Sequence, residues 1–312
     1  MSLDWESFTR YGFDKYGSPR GPFLHIADAV INAVTMNRDD AFKRCRDFTL
    51  TWRQGEPILS SSITYGISQL PGLRKFALRN YPSNCKAFDT LLRRSYDTLE
   101  EISVEDTTGN VYATELVGMH WTPNGDSSGS FSSLQRMRMF NTRMWGPVDL
   151  VVLGTFYSVR HLSLGSGDPA LAIDEGAWVD TGHYEGNVLP TGSVNLPHVV
   201  SLRVWGVVPD SVLKVLRLPS LQDLCVEQDT RGMTSLLQMT VTCIPGQIKR
   251  LRVVANTRFA LGGWDVDLKG FLELAEKNLE SIMVEKWMKK RATEQLPRNL
   301  TMKREFQVFV AP

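Results

Sequence analysis

The chain has 312 residues, 42% hydrophobic and 22% charged, with 35 Lys and Arg against 34 Asp and Glu and a formal net charge of +1. That length suffices for a large core, the composition excludes general disorder, and the charge balance leaves no basic excess to draw nucleic acid by counterion release. No apolar run reaches the ~20 residues that span a bilayer, and the start Met1-Ser-Leu-Asp-Trp-Glu lacks the basic and apolar regions of a secretory signal. A protein without membrane association, cytoplasmic or nuclear, is therefore expected. The four cysteines, Cys45, Cys85, Cys225 and Cys243, are widely spaced and form no CxxC pair, so neither a zinc site nor a disulfide framework is readable.

In chain order, residues 1–22 read as a polar lead and residues 23–312 as one continuous array. His25 to Met36, with Ile26, Val30, Ile31 and Val34 at helical spacing, predicts a helix that caps the open end of that array. From there a template recurs, apolar-x-x-apolar-x-apolar. It fits Cys45-Phe48-Leu50, Leu73-Phe76-Leu78, Leu99-Ile102-Val104, Leu134-Met137-Met139, Val159-Leu162-Leu164, Val199-Leu202-Val204, Leu221-Leu224-Val226, Ile248-Leu251-Val253 and Leu279-Ile282-Val284. Lys303-Phe306-Val308 reads as an atypical last copy. The mean spacing is about 29 residues, within the range of short strand-and-helix repeats.

Between these strands, helical stripes are predicted at Ile63, Ile67 and Leu70; at Phe88, Leu91 and Leu92; at Val212, Leu213, Val215 and Leu216 after the caps Asp210 and Ser211; and at Leu268, Phe271, Leu272 and Ala275 after Asp267. The polar stretch 124–130 and the Gly-rich stretch 165–195 read as surface loops. Three strands share a lead-in, Leu70-Pro-Gly-Leu73, Leu196-Pro-His-Val199 and Leu218-Pro-Ser-Leu221, where proline is expected to end a helix and feed an extended segment.

These phased Leu-Pro-x-apolar copies resemble the repeat region of F-box leucine-rich-repeat proteins, especially those of mushroom-forming fungi. The resemblance implies an α/β leucine-rich-repeat solenoid, with a curved parallel sheet inside and helices and loops outside. It also implies an intracellular, non-catalytic interaction scaffold that selects substrates for a Skp1–cullin ubiquitin ligase. Met1 to Arg44 carries no Leu-Pro opening of the kind an F-box has, so the Skp1–cullin machinery is expected as a partner only with an F-box upstream or a diverged one.

If apolar positions 1, 4 and 6 point inward, positions 3, 5 and 7 line the opposite, concave surface. Those residues alternate in charge from strand to strand, through Asp47, Lys75, Glu101 and Arg136, then Arg203, Asp223, Arg250 and Glu285. Two readings stand: the charges neutralise one another across the sheet, or they form a charged groove. Phe140 and Trp205 break the pattern, since large aromatics on a solvated face lose their burial unless something covers them. Arg138, Phe140, His161, Arg203 and Trp205 are accordingly the candidate centre for binding a protein partner; the alternative is that the 165–195 loop folds back over both rings.

No catalytic, metal or cofactor set is readable. The five histidines form no metal-binding pair, and Gly165-Ser-Gly-Asp168 lacks both nucleophile-elbow and phosphate-loop spacing. Lys289-Lys-Arg291 reads as a solvated helix end rather than a nuclear signal. The competing functional class is an enzyme, hydrolase-like, with a site assembled from loops.

Overall fold

The computed structural model describes residues 46–51, 70, 72–79, 86–105, 131–141, 156, 158–166, 194–206, 213, 215–228, 243–255, 268–284, 293–294, 296–297, 299–300 and 307–310. The expected capping helix at 25–36, the Ile63 and Ile67 stripe, the 124–130 loop, most of the 165–195 loop, Lys289 to Arg291, Cys45 and Cys85 lie outside these residues. The chain divides into two compact units, Met1–Thr142 and Arg143–Pro312. Among the described residues no helix is long and apolar enough to cross a membrane.

In the first unit, β1 (Asp47–Thr51), β2 (Lys75–Arg79), β3 (Glu101–Glu105) and β4 (Arg136–Asn141) pair in that order, all parallel. Phe48, Phe76, Ile102 and Met137 stand opposite one another in register, and all four are buried. Template position 1 is likewise buried at Leu73, Leu99 and Leu134. A side-chain period of two leaves no other choice, since slipping a strand by one residue would expose its whole apolar set.

Parallel neighbours need a crossover, and α1 (Lys86–Arg94) supplies the one between β2 and β3. Leu91 and Leu92 are fully buried, while Arg93 and Arg94 stay exposed in the last turn, where a cation suits the helix dipole. Ser95, just past the helix, is also fully buried. Its Oγ accepts the Leu73 N–H at 3.0 Å and donates to the Leu91 carbonyl at 2.7 Å, and Thr98 Oγ1 donates to the Leu73 carbonyl at 2.8 Å. Both backbone groups of Leu73 are thus held by side chains of the following crossover. Gly72 makes this fit possible: a Cβ there would lie 2.9 Å from both the Arg94 carbonyl oxygen and Thr98 Oγ1.

The second unit carries β5 (His161–Ser166), β6 (Val194–Asn195), β7 (Ser201–Gly206), β8 (Leu216–Arg217), β9 (Asp223–Gln228), β10 (Arg250–Ala255), α2 (Leu268–Ala275), β11 (Ser281–Val284) and β12 (Gln307–Val310). Strands β5, β7, β9, β10, β11 and β12 pair in that order, all parallel and in register. Leu162, Leu202, Leu224, Leu251 and Ile282 form the buried row at template position 4, and Leu164, Val204, Val226, Val253 and Val284 the one at position 6. The stripe expected at 268–275 is helical, with Phe271, Leu272 and Ala275 fully buried.

Three local expectations change. Leu213 and Val215 are helical, but Leu216 is extended, because Leu216 and Arg217 pair with Val194 and Asn195 in a second, short parallel ladder. Leu196 N–H donates to the Arg217 carbonyl at 2.9 Å, and an isolated bridge joins Leu218 to Cys243. Proline 219 disfavours helical geometry just before it, which agrees with the early exit from the helix.

At two of the three lead-ins the proline, Pro197 or Pro219, is part of a tight turn that follows a strand, rather than the end of a helix; Pro71 lies outside the described residues. Val199 N–H bonds the Leu196 carbonyl and Leu221 N–H the Leu218 carbonyl, the closure of a four-residue turn with proline second. Phe131–Leu134, Phe156–Val159 and Pro245–Ile248 close in the same way, so the turn does not require the Leu-Pro spelling. The last strand is also displaced by two residues: Val308, not Phe306, stands opposite Ile282. A shift of two keeps the alternation intact, which is why the pattern alone did not separate the two phases.

Candidate functional site

Positions 3, 5 and 7 of each strand form the polar face, and register decides which charges meet there. In the first unit Asp47, Lys75, Glu101 and Arg136 stand directly opposite one another. Glu101 takes Lys75 at 3.7 Å and Arg136 at 3.9 Å. One residue earlier, Arg74 makes a two-pronged bond to Glu100 at 2.9 and 2.8 Å. That bond holds the Glu100 carboxyl below its usual range and raises the Arg74 guanidinium. The outward map at positions 3, 5 and 7 omitted this pair, although its opposite charges at position 2 of neighbouring copies were visible in the sequence.

In the second unit Asp223 receives both prongs of Arg250, whose pKa is raised chiefly by that hydrogen bond. Glu227 is shared: Oε2 bonds Arg203, while Oε1 lies 3.8 Å from Arg252 and 3.6 Å from the Cys225 thiol. Burial first, then the Glu227 charge, push the Cys225 thiol up to about 12, and burial alone does the same to Cys243. A thiol so raised is neither a nucleophile nor a ready metal ligand near neutrality. The reading in which charges neutralise one another thus describes these pairs. Solvent screens such surface pairs, so their role is to arrange the face rather than to hold the fold.

Of the five candidate residues, His161, Arg203 and Trp205 lie on the polar face of the second unit. His161 is exposed on β5 opposite Ser201. Arg203 is exposed, and its guanidinium carbon sits 5.6 Å from the centroid of the half-buried Trp205 ring, within cation–π range. Trp205 stands opposite Gly165 on one side and Glu227 on the other. Arg138 and Phe140 lie on β4 of the first unit, opposite Ser103 and Glu105; Arg138 is half-buried, and the Phe140 side chain lies outside the described atoms. Whether the 165–195 loop covers the rings also falls outside them.

Glu227, Cys225 and Arg252 join Arg203 and Trp205 in this cluster and were absent from the candidate set. The signal that finds them is register, because Arg203, Cys225 and Arg252 occupy one position on three adjacent strands. Among the described residues no group of His, Cys, Asp and Glu has the geometry of a metal site.

The fold and this face define an α/β protein built on parallel strands whose polar side is lined by arginine, tryptophan and shared carboxylates. Compared with known proteins, the chain matches no family model and no curated sequence.

Proposed function

We propose that the chain is a leucine-rich-repeat-type interaction scaffold that binds a protein partner through the polar strand face, without chemistry of its own. The observation that carries this is the Arg203–Trp205 pair, an aromatic and a cation presented on the solvated side of parallel strands whose other side is filled with leucine, isoleucine and valine. Aromatic and arginine anchors of this kind dominate protein–protein recognition. The candidate centre in the second unit is His161, Arg203 and Trp205; Arg138 and Phe140, on β4 of the first unit, are a candidate contact of their own. The partner role extends, through the resemblance of the Leu-Pro copies, to selecting substrates for a Skp1–cullin ubiquitin ligase.

The test is affinity purification from the native cell with wild type, Trp205→Ala and Phe140→Ala, each checked by thermal melting. Loss of a stable partner from folded Trp205→Ala supports the scaffold. Unchanged partners with loss of folding would assign Trp205 to packing and overturn it. Recovery of Skp1 with the wild type separates the ligase role from other scaffold roles.

A further inference from the structure

Position 5 of the six parallel strands in the second unit makes one row across the sheet: Ser163, Arg203, Cys225, Arg252, Met283 and Phe309. Adjacent strands lie ~4.8 Å apart, so the two arginines rise from the sheet about 9.6 Å apart, with only the short Cys225 side chain between them. They share one carboxylate, Glu227, since Asp223 is taken in both prongs by Arg250. Among the described residues, one carboxylate thus faces two guanidinium groups at this point of the face.

The sharing is also uneven. Arg203 makes a close hydrogen bond to Glu227, whereas Arg252 has a single 3.8 Å contact and a buried Nε without a hydrogen-bond acceptor among the described residues. Ser163 Oγ, next to Arg203 in the row, is likewise buried and without a partner among the described residues. Unpaired polar groups favour an incoming acceptor, and the Arg252 side chain, 43% exposed, is open to one. Arginine suits that acceptor, because its planar fork matches a carboxylate. Beyond Arg252 the row turns apolar over two strands: Met283 on the next is half-buried, and Phe309 on the one after is 44% exposed.

We propose, resting on the reading of this face as a partner surface, that the partner segment is an acidic peptide laid across the strands. A polyproline-II chain rises ~3.1 Å per residue with three residues per turn, so side chains three apart share one face, and the ~9.6 Å steps from Arg203 to Arg252 and from Arg252 to Phe309 each span about three residues. The segment carries two carboxylates about three residues apart and an apolar side chain about three residues further on. The first carboxylate pairs with Arg203, the second takes Arg252 from its long contact with Glu227, and the apolar group covers Met283 and Phe309.

The experiment uses the full chain and a fluorescein-labelled peptide with Glu at its first and fourth places, Phe at its seventh and Ala or Ser elsewhere, titrated by fluorescence anisotropy. Binding is expected to weaken about tenfold or more when the peptide glutamates become Gln, when Arg252→Gln is introduced, and when salt is raised, as for loss of one charge-assisted pair. Arg252→Gln should stay folded, as thermal melting checks, because among the described residues its ion pair with Glu227 is a long 3.8 Å contact. Equal binding of the Gln peptide, indifference to Arg252→Gln, no binding at all, or tighter binding of an oligothymidylate of equal charge would each overturn the proposal. If the cellular partner is lost on Trp205→Ala but the acidic peptide neither binds nor competes, the peptide inference fails and the scaffold stands. If partner recovery ignores Trp205→Ala, the scaffold itself fails.

Discussion

Replacing Ser95 by alanine removes one oxygen from a fully buried position and leaves the surrounding packing unchanged. The Leu73 N–H then loses its acceptor at 3.0 Å, while the Leu73 carbonyl keeps Thr98 Oγ1 at 2.8 Å. No water replaces the hydroxyl at no cost, because Leu73 and Ser95 are both 0% exposed. An orphaned buried donor costs ~1–3 kcal/mol, which corresponds to roughly 5- to 150-fold more frequent opening of the Leu73 amide. Native-state hydrogen exchange at that amide reads the local effect, and urea unfolding reads the global one. Ser133→Ala is the control: its Oγ donates to the Asp97 carbonyl at 2.8 Å at an exposed site, so its cost should stay within about 0.5 kcal/mol. If Ser95→Ala perturbs Leu73 exchange and the urea midpoint no more than Ser133→Ala does, the side-chain clamp on Leu73 is not what joins this crossover to the sheet.

Two further outcomes follow from the site. The Glu100 carboxyl titrates below its ordinary value of 4.5 in the folded chain, because it accepts the Arg74 hydrogen bond. Its contribution to stability is therefore present above the unfolded pKa and lost as pH falls through the folded one; the melting-temperature gap between wild type and Glu100→Gln should be full at neutral pH and close as pH falls below 4.5, and a constant gap would refute the pairing. With Cys45 and Cys85 replaced by Ser, Cys225 and Cys243, pushed up to about 12, should react with iodoacetamide at pH 8 at least about tenfold more slowly than free cysteine, and urea should abolish the difference. A native rate equal to that of free cysteine would mean that the thiols are not buried as described.

Much of the strand pattern was legible because it is local. Phe76 and Leu78, or Leu202 and Val204, face inward through an alternation that any reader of the chain can follow, and the 86–94 and 268–275 helices follow from their apolar stripes. The candidate site was legible in part. Arg203 and Trp205 are two residues apart on one strand, so their shared face was implied, whereas the division of Glu227 between Arg203 and Arg252 depends on strands 22 to 27 residues apart in sequence meeting in register.

The sequence by itself determined which side chains could be buried, since solvation of leucine, isoleucine and valine at positions 1, 4 and 6 is unfavourable in any arrangement of the chain. Tertiary structure decided which neighbours those strands acquired. It alone drew Leu216 out of a helix into a pairing with Val194, set Val308 opposite Ile282, and brought Ser95 beneath Leu73. Each of these outcomes depends on hydrogen bonds between segments distant in sequence, whose partners are chosen by how the crossovers pack rather than by any residue's own preference.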